Sequence, residues 1–410
     1  MTDCEKLIRE IHARDMKILL DMVMNHTSDQ HPWFVESRKS KDNPKRDWYI
    51  WRDGQKPNGE APPNNWKAKI GINGWHYDEI TNQWYWSAFL KCQPDLNYRN
   101  PEVKEEMLDI VRFWLDKGID GFRLDIFDAI YEDEQFRDNP FMFTLFGTEK
   151  KEGLLFQGTK HTVHLPETIE FTKELRRVMD EYQDPPRYLV GEVFGSIARV
   201  KQYCGENKND GLHSVFLFSA RETNFRAKEF RETIDKFEKY FPEPFIPTWV
   251  FSNHDIKRRI SVLDNNLEKG KLQATLQMTV RGIPFIYYGE EIGIPQANIP
   301  FKKSKDAVSF RFKKYPKVFQ KLVQKLTDEA IHRDNCRTPM QWNSKIHAGF
   351  CSAKKSPWLP ISENKQTINV NSEQSNPDSL LKCYQRLLRI RKSHEALHAG
   401  DIELIPAQEL

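Results

Sequence analysis

The sequence predicts a parallel α/β fold. Three observations lead there. Short β-type runs recur along the 410 residues. Each run is followed by a stretch with helical periodicity. The runs are almost continuously apolar, as strands covered on both faces are. The strand candidates are Lys17–Val23 (KILLDMV), Gly121–Phe127 (GFRLDIF), Arg187–Phe194 (RYLVGEVF), Leu212–Phe218 (LHSVFLF), Thr248–Asn253 (TWVFSN) and Pro284–Tyr288 (PFIYY). An open doubly wound sheet and a closed (β/α)8 barrel both fit this alternation. No G-x-G-x-x-G or Walker-type turn follows any strand, which removes the usual support for a nucleotide-binding sheet.

The segments between the strands supply the second layer. Residues 1–20 alternate apolar and charged positions, so no signal peptide is expected. Residues 101–118, PEVKEEMLDIVRFWLDKG, place Val103, Met107, Ile110, Val111 and Trp114 on one face. Asn100 caps that helix, Pro101 opens it and Gly118 closes it. Further helices are expected at about 167–182, 221–240 and 267–281. One segment breaks the pattern: seven of the eleven tryptophans fall between Trp33 and Trp86, among many Asn, Asp, Pro and Gly residues. It is too polar for a long helix and too aromatic for disorder, so it reads as a small irregular subdomain. The rings there suit sugar stacking and suit a small core equally.

The bulk numbers narrow the function. Net charge is +3 with acids and bases interleaved, which carries no nucleic-acid or polybasic membrane signal. No apolar run approaches the roughly 18 residues a membrane helix needs. The six cysteines are scattered without a C-x-x-C pair, as expected of free thiols in a reducing cytoplasm.

Polar residues gather where the strands end: Asp21, Asn25 and His26; Arg123 and Asp125; Glu192; His254 and Asp255; Glu290 and Glu291. In a barrel those ends converge on one mouth, where the active site lies. A charge at the end of an apolar strand is costly unless paired or functional. Any one of Asp125, Glu192 and Asp255 is explained by a salt bridge or a cap. Three together, with Arg123, His26 and His254 beside them, point to paired acid–base work, because crowded acids separate into proton holders and anions. A nucleophilic carboxylate beside a protonated carboxyl is the pattern of retaining glycoside hydrolysis. Metal binding is the rival use of such a cluster, and Arg123 already supplies positive charge there.

A second motif points elsewhere. HEALH, His394 to His398, matches H-E-x-x-H, with two histidines for zinc and Glu395 as base. Its plain reading is the polar end of the helix DSLLKCYQRLLRIRKSHEALHAG, stopped at Gly400. Only twelve residues follow His398, which leaves little room for a third ligand.

Taken in order, DMVMNH (21–26), GFRLD (121–125), GEV (191–193) and NHD (253–255) resemble the four motif regions of the α-amylase family of glycoside hydrolases. QPDLN (93–97) resembles the fifth motif of its α-glucosidase and oligo-1,6-glucosidase branch. GIPFIYYGEEIG (282–293), RDNCRTPMQW (333–342) and residues 357–392 resemble further stretches of that branch. The resemblance implies a (β/α)8 catalytic barrel with an inserted domain B. Asp125 is then the nucleophile, Glu192 the general acid and base, and Asp255 the stabiliser of the transition state. Arg123 orients Asp125. His26, His254, Asp21 and Arg333 bind sugar. Ile126, after the nucleophile, leans toward α-1,6 bonds, and Ser87 stands where members often carry histidine. The implied substrates are short α-glucosides: isomalto- or malto-oligosaccharides, with sucrose and trehalose derivatives in the wider range. No cofactor is expected, since the family's calcium loop would lie before Met1.

The same resemblance sets expected boundaries. Residues 1–26 are the second barrel helix and third strand, 27–95 domain B, 96–397 strands four to eight with their helices, and 398–410 the start of a C-terminal β-domain. The first two strands are expected to be missing. An inactive or split-gene remnant, a non-catalytic scaffold and, through HEALH, a zinc protease are the alternatives. No nucleic-acid or membrane partner is expected, and the oligomeric state is left open.

Overall fold

The structure, a computed structural model, describes residues 1–55, 57–69, 73–144, 153–154, 156–310, 312–320 and 332–405. The chain divides into two compact units. The first comprises Met1–Phe216 with Glu243–Phe245, the second Leu217–Pro242 with Ile246–Leu410.

Eleven strands occur among the described residues. They are β1 (Leu19–Met22), β2 (Trp51–Arg52), β3 (Trp75–Asp78), β4 (Gln83–Trp86), β5 (Gly121–Leu124), β6 (Gly153–Leu154), β7 (Gln157–Gly158), β8 (Tyr188–Gly191), β9 (Ser214–Val215), β10 (Thr248–Val250) and β11 (Ile283–Phe285). In the first unit β1, β5, β8 and β9 form one parallel sheet in that order. Successive strands are therefore neighbours. A doubly wound sheet reverses its order at a switch point, and this one does not. In the second unit β10 and β11 pair in parallel.

All six expected strands are present, and each is shorter than its apolar run. The run at Gly121–Phe127 ends as a strand at Leu124, because Ile126 turns left-handed (φ 41°, ψ 54°) and Phe127–Ala129 form a 3-10 turn. Glu192 and Asp255 likewise lie beyond β8 and β10. Asp125, Glu192 and Asp255 thus extend from backbone that has left the ladder, whereas Asp21 and Arg123 stand within it. Gly121 marks the opposite end: a Cβ there would sit 1.9 Å from the Tyr188 carbonyl oxygen, so only glycine lets β5 approach β8 so closely.

The helix after the tryptophan-rich segment spans Pro101–Asp116, with the Asn100 side chain accepting the Glu102 N–H. Its buried stripe is Val103, Met107, Leu108, Val111 and Leu115; Ile110 and Trp114 are half-buried rather than core. Gly118 closes it at φ +93°. The expected helices near 167 and 267 are Pro166–Asp180 and Leu267–Thr279. The one expected at 221–240 is broken into Ser219–Glu222 and Ala227–Tyr240.

The tryptophan question resolves toward a core. Trp66, Trp75 and Trp86 pack with Ile50 and Ala88 around the antiparallel sheet β2–β4–β3, with ring centroids 5.2–5.9 Å apart. Each indole N–H finds an acceptor: Trp66 donates to the Arg137 carbonyl, Trp75 to Asn64 and Trp86 to Glu132.

HEALH does not lie on one helix. The helix Leu380–Ser393 stops before it, and His394 is extended (φ −125°, ψ 108°). His394 Nδ1 contacts the Ile390 carbonyl, and Glu395–His398 form a separate single turn. The one-turn spacing that would aim two histidines at one zinc ion is lost at this break. Residues 406–410 of the expected C-terminal segment lie outside the described residues.

Candidate active site

In the first unit the site follows from strand register. β1 pairs with β5 so that Asp21 stands beside Arg123, and β5 pairs with β8 so that Leu124 stands beside Gly191. The residues after that last pair are Asp125 and Glu192. Their backbones stay tied: the Asp125 N–H donates to the Met22 carbonyl (3.1 Å) and the Glu192 N–H to the Leu124 carbonyl (2.9 Å).

Arg123 is the centre of this group. Its Nη1 donates to both oxygens of Asp21 (2.8 and 3.0 Å) and to Asp125, and its Nη2 donates to Glu192 Oε2 at 2.6 Å. One guanidinium thus serves three carboxylates. Burial works against its charge, but Glu192, Asp21 and Asp125 outweigh it and hold Arg123 above its ordinary range. The Glu192 side chain is 3% exposed and that of Asp125 24%, so one acid is enclosed and the other faces an opening.

The turn between them is strained. Ile126 is β-branched and sits at φ 41°, a conformation that costs on the order of 1–3 kcal/mol and persists only where its surroundings enforce it. Its N–H lies 3.4 Å from Glu192 Oε2, and the Phe127 N–H donates to the Glu192 carbonyl at 2.9 Å.

His26 lies beyond the end of β1. Burial pushes its imidazole down to about 4, with Asp125 opposing, so it is neutral at pH 7. Its Nε2 meets the Gln93 amide nitrogen at 2.8 Å. Its Nδ1 lies 3.4 Å from the Asn25 amide nitrogen. Gln93 is set in turn by Ser87, whose hydroxyl reaches the Gln93 and Leu90 carbonyls (2.7 and 2.5 Å).

A second cluster lies in the second unit. The Asp255 N–H donates to Asn253 Oδ1 at 2.8 Å. Asp255 Oδ1 accepts from Arg333 Nη1 (2.9 Å) and Arg337 Nη2 (2.6 Å), and Oδ2 lies 3.3 Å from His254 Nε2. Burial pushes this carboxyl up, but His254, Arg333 and Arg337 outweigh it and hold Asp255 below its ordinary range. Arg333 is itself fixed by a fork on Asp306, through Nε (3.0 Å) and Nη2 (2.8 Å). Glu290 plays a different part: it is buried, accepts from the Ser252 hydroxyl at 2.5 Å, and is pushed up to about 7 by burial.

Asp21, Arg123, Asp125 and Glu192 share one hydrogen-bonded group, His254, Asp255 and Arg333 form another, and His26 bonds to Gln93 instead. Asp21, His26, Arg123, Asp125 and Glu192 are in the first unit, and His254, Asp255 and Arg333 are in the second. Sequence reasoning missed Arg337, which also donates from Nε to the His254 carbonyl at 2.7 Å. Its signal was present, because RDNCR places two arginines four residues apart. Gln93 was visible only as a motif letter, with nothing local to say that it would meet a histidine 67 residues earlier.

Comparison with known proteins accords with this arrangement. Residues 1–400 match the family model described as the α-amylase catalytic domain. A probable α-glucosidase of Rhizobium meliloti (strain 1021) is 37% identical, over 99% of this chain and 72% of that protein. The oligo-1,6-glucosidase of Parageobacillus thermoglucosidasius is 33% identical, over 99% of this chain and 73% of its own. Among solved structures, the α-glucosyl transfer enzyme XgtA superposes with a TM-score of 0.86 at 32% identity, covering 100% of this chain and 74% of that one. The trehalulose synthase MutB from Pseudomonas mesoacidophila MX-45 gives 0.83 at 32% identity, over 98% and 72%. Together with the successive parallel strands and the carboxylates at their ends, these matches identify the chain as a member of the α-amylase family of glycoside hydrolases, whose catalytic domain is a (β/α)8 barrel.

Proposed function

We propose that the protein is a retaining α-glucosidase that releases glucose from short α-glucosides. The observation that carries this reading is the single guanidinium of Arg123 bonded to both Asp125 and Glu192. A shared guanidinium keeps two carboxyl groups as near neighbours. That suits a retaining pair, about 5–5.5 Å apart, better than the wider inverting pair.

In the first step Asp125 attacks the anomeric carbon while Glu192 gives its proton to the departing glycosidic oxygen. A glucosyl ester on Asp125 forms with inverted configuration. In the second step Glu192 takes a proton from water, the water oxygen attacks the same carbon, and the ester bond breaks. The two inversions return the α configuration. Glu192, enclosed beside Arg123, is the proton donor of the pair. Arg123 orients Asp125. Asp255, held as an anion by its two arginines, binds sugar hydroxyls and stabilises the positive charge that develops at the anomeric centre. Neutral His26, with His254, Asp21 and Arg333, completes sugar binding. These steps use only side chains and water. Residues 27–95, with their tryptophan core, act as domain B beside the pocket.

The names of the relatives and neighbours support oligosaccharide or disaccharide substrates, with oligo-1,6-glucosidase among them. Ile126 leans the assignment toward α-1,6 bonds. No helix among the described residues is long and apolar enough to cross a membrane, and we place the protein in the cytoplasm.

Hydrolysis of a chromogenic α-glucoside, followed by isomaltose and maltose, tests the reading. Release of α-glucose, abolished by Asp125→Asn, supports it. Release of β-glucose as the first product overturns the retaining mechanism, and full activity in Asp125→Asn overturns the assignment of the nucleophile.

A further inference from the structure

Outside the groups already assigned, one ion pair touches both catalytic loops. Lys69 belongs to the tryptophan-rich segment, and its N–H is fixed to the Ala88 carbonyl at 2.7 Å. Its ammonium group pairs with Asp128 Oδ1. The Asp128 side chain is 3% exposed and that of Lys69 24%. Asp128 lies three residues after Asp125, and its other oxygen accepts the Phe194 N–H at 3.3 Å. Phe194 lies two residues after Glu192.

We propose that Lys69 is a positioning residue for the hydrolytic site, acting through Asp128 to lock the loop that follows Asp125 onto the loop that follows Glu192. The inference rests on the reading of those two carboxylates as the catalytic pair. Backbone bonds from Glu192 and Phe127 already join the loops at their bases. The side-chain bond from Asp128 to Phe194 joins them one step further out. Between these bonds lies Ile126, whose left-handed backbone persists only while both flanks are held. Arg123 holds the Asp125 flank, and Lys69 with Asp128 holds the other. Without Lys69, a buried carboxylate must take up a proton or turn toward water. Either change loosens the acceptor of Phe194 and frees the strained turn that carries the nucleophile.

The test uses the full chain with Lys69→Met, the double variant Lys69→Met/Asp128→Asn, and kcat and KM on a chromogenic α-glucoside. Misplacing reacting groups by a fraction of an ångström lowers kcat, so Lys69→Met is expected to lose about 10- to 100-fold in kcat with KM nearly unchanged. Adding Asp128→Asn should recover most of that loss, because a neutral amide oxygen accepts from Phe194 without needing a cation. A change in stability alone would leave kcat of the folded enzyme in place. The inference is overturned if Lys69→Met keeps wild-type kcat. It is also overturned if the double variant is as impaired as the single one, or does not fold. If Lys69→Met alone fails to fold, the double variant decides by the same measure. An inactive wild type would instead sink the glucosidase reading, and this inference with it.

Discussion

The two units hold their carboxylates in opposite ways. In the first, one arginine serves three acids: Arg123 bonds Asp21, Asp125 and Glu192. In the second, two arginines meet on one acid: Arg333 and Arg337 both bond Asp255 Oδ1, and Arg333 also bonds Asp306. Where cations are scarce, the acids share one charge. Where two guanidinium groups meet on one carboxylate oxygen, the acid is held as an anion. The first arrangement suits proton transfer and nucleophilic attack. The second suits a constant negative charge that binds hydroxyls and faces a developing cation.

The largest test of that contrast is catalytic. Asp125→Asn removes the proposed nucleophile and should lower kcat by about 10⁴-fold or more, measured on a chromogenic α-glucoside. The next test is thermodynamic. Arg123→Met leaves three acids without their shared cation and should cost about 3–5 kcal/mol in urea unfolding. Arg337→Met leaves Asp255 with Arg333 and should cost about 1–2 kcal/mol, since one charge-assisted bond is lost and the anion stays paired. Equal costs for the two substitutions would break the comparison.

The pH dependence of stability sharpens it. His26 is held down to about 4, so between its ordinary value near 6.5 and about 4 the unfolded chain binds a proton that the folded chain refuses. Stability is lost as pH falls through that window, by up to about 1.4 kcal/mol per pH unit. Asp255 is held low instead. Its contribution is complete above the ordinary aspartate value and is lost only as pH falls below it, toward the folded value. His26→Gln should therefore flatten the unfolding profile between about pH 6.5 and 4, and Asp255→Asn only below about pH 4. Asp95 and Glu290, both pushed up to about 7 by burial, act in the opposite direction, so each variant is read as a difference from wild type.

The smallest effect is at the turn. Ile126→Asn places a residue that tolerates the left-handed region where a β-branched one is strained. It should change stability by less than about 1 kcal/mol, because the relief is offset by lost apolar packing. The ratio of isomaltose to maltose hydrolysis should shift more visibly than stability does.

The motif order, the six parallel strands, the capped helix Pro101–Asp116 and the three carboxylates were all legible in the sequence, because each depends on local patterning or on residues that travel together in short motifs. Strand ends were not. The apolar run GFRLDIF continues past Leu124, and only the folded backbone shows that Ile126 turns out of the sheet. HEALH misled for the same reason: its spacing presumes a helix that ends at Ser393.

The sequence by itself determined which polar residues follow the strands and in what order the strands arrive. Tertiary structure alone decided their partners. Arg123 meets Asp21 across 102 residues because one register pairs β1 with β5, and a shift of one position would turn the two side chains to opposite faces. Lys69 meets Asp128 across 59 residues only because an aromatic core carries its segment there. Periodicity and capping act over a few residues, whereas register and packing are settled by what the whole sheet and core can bury.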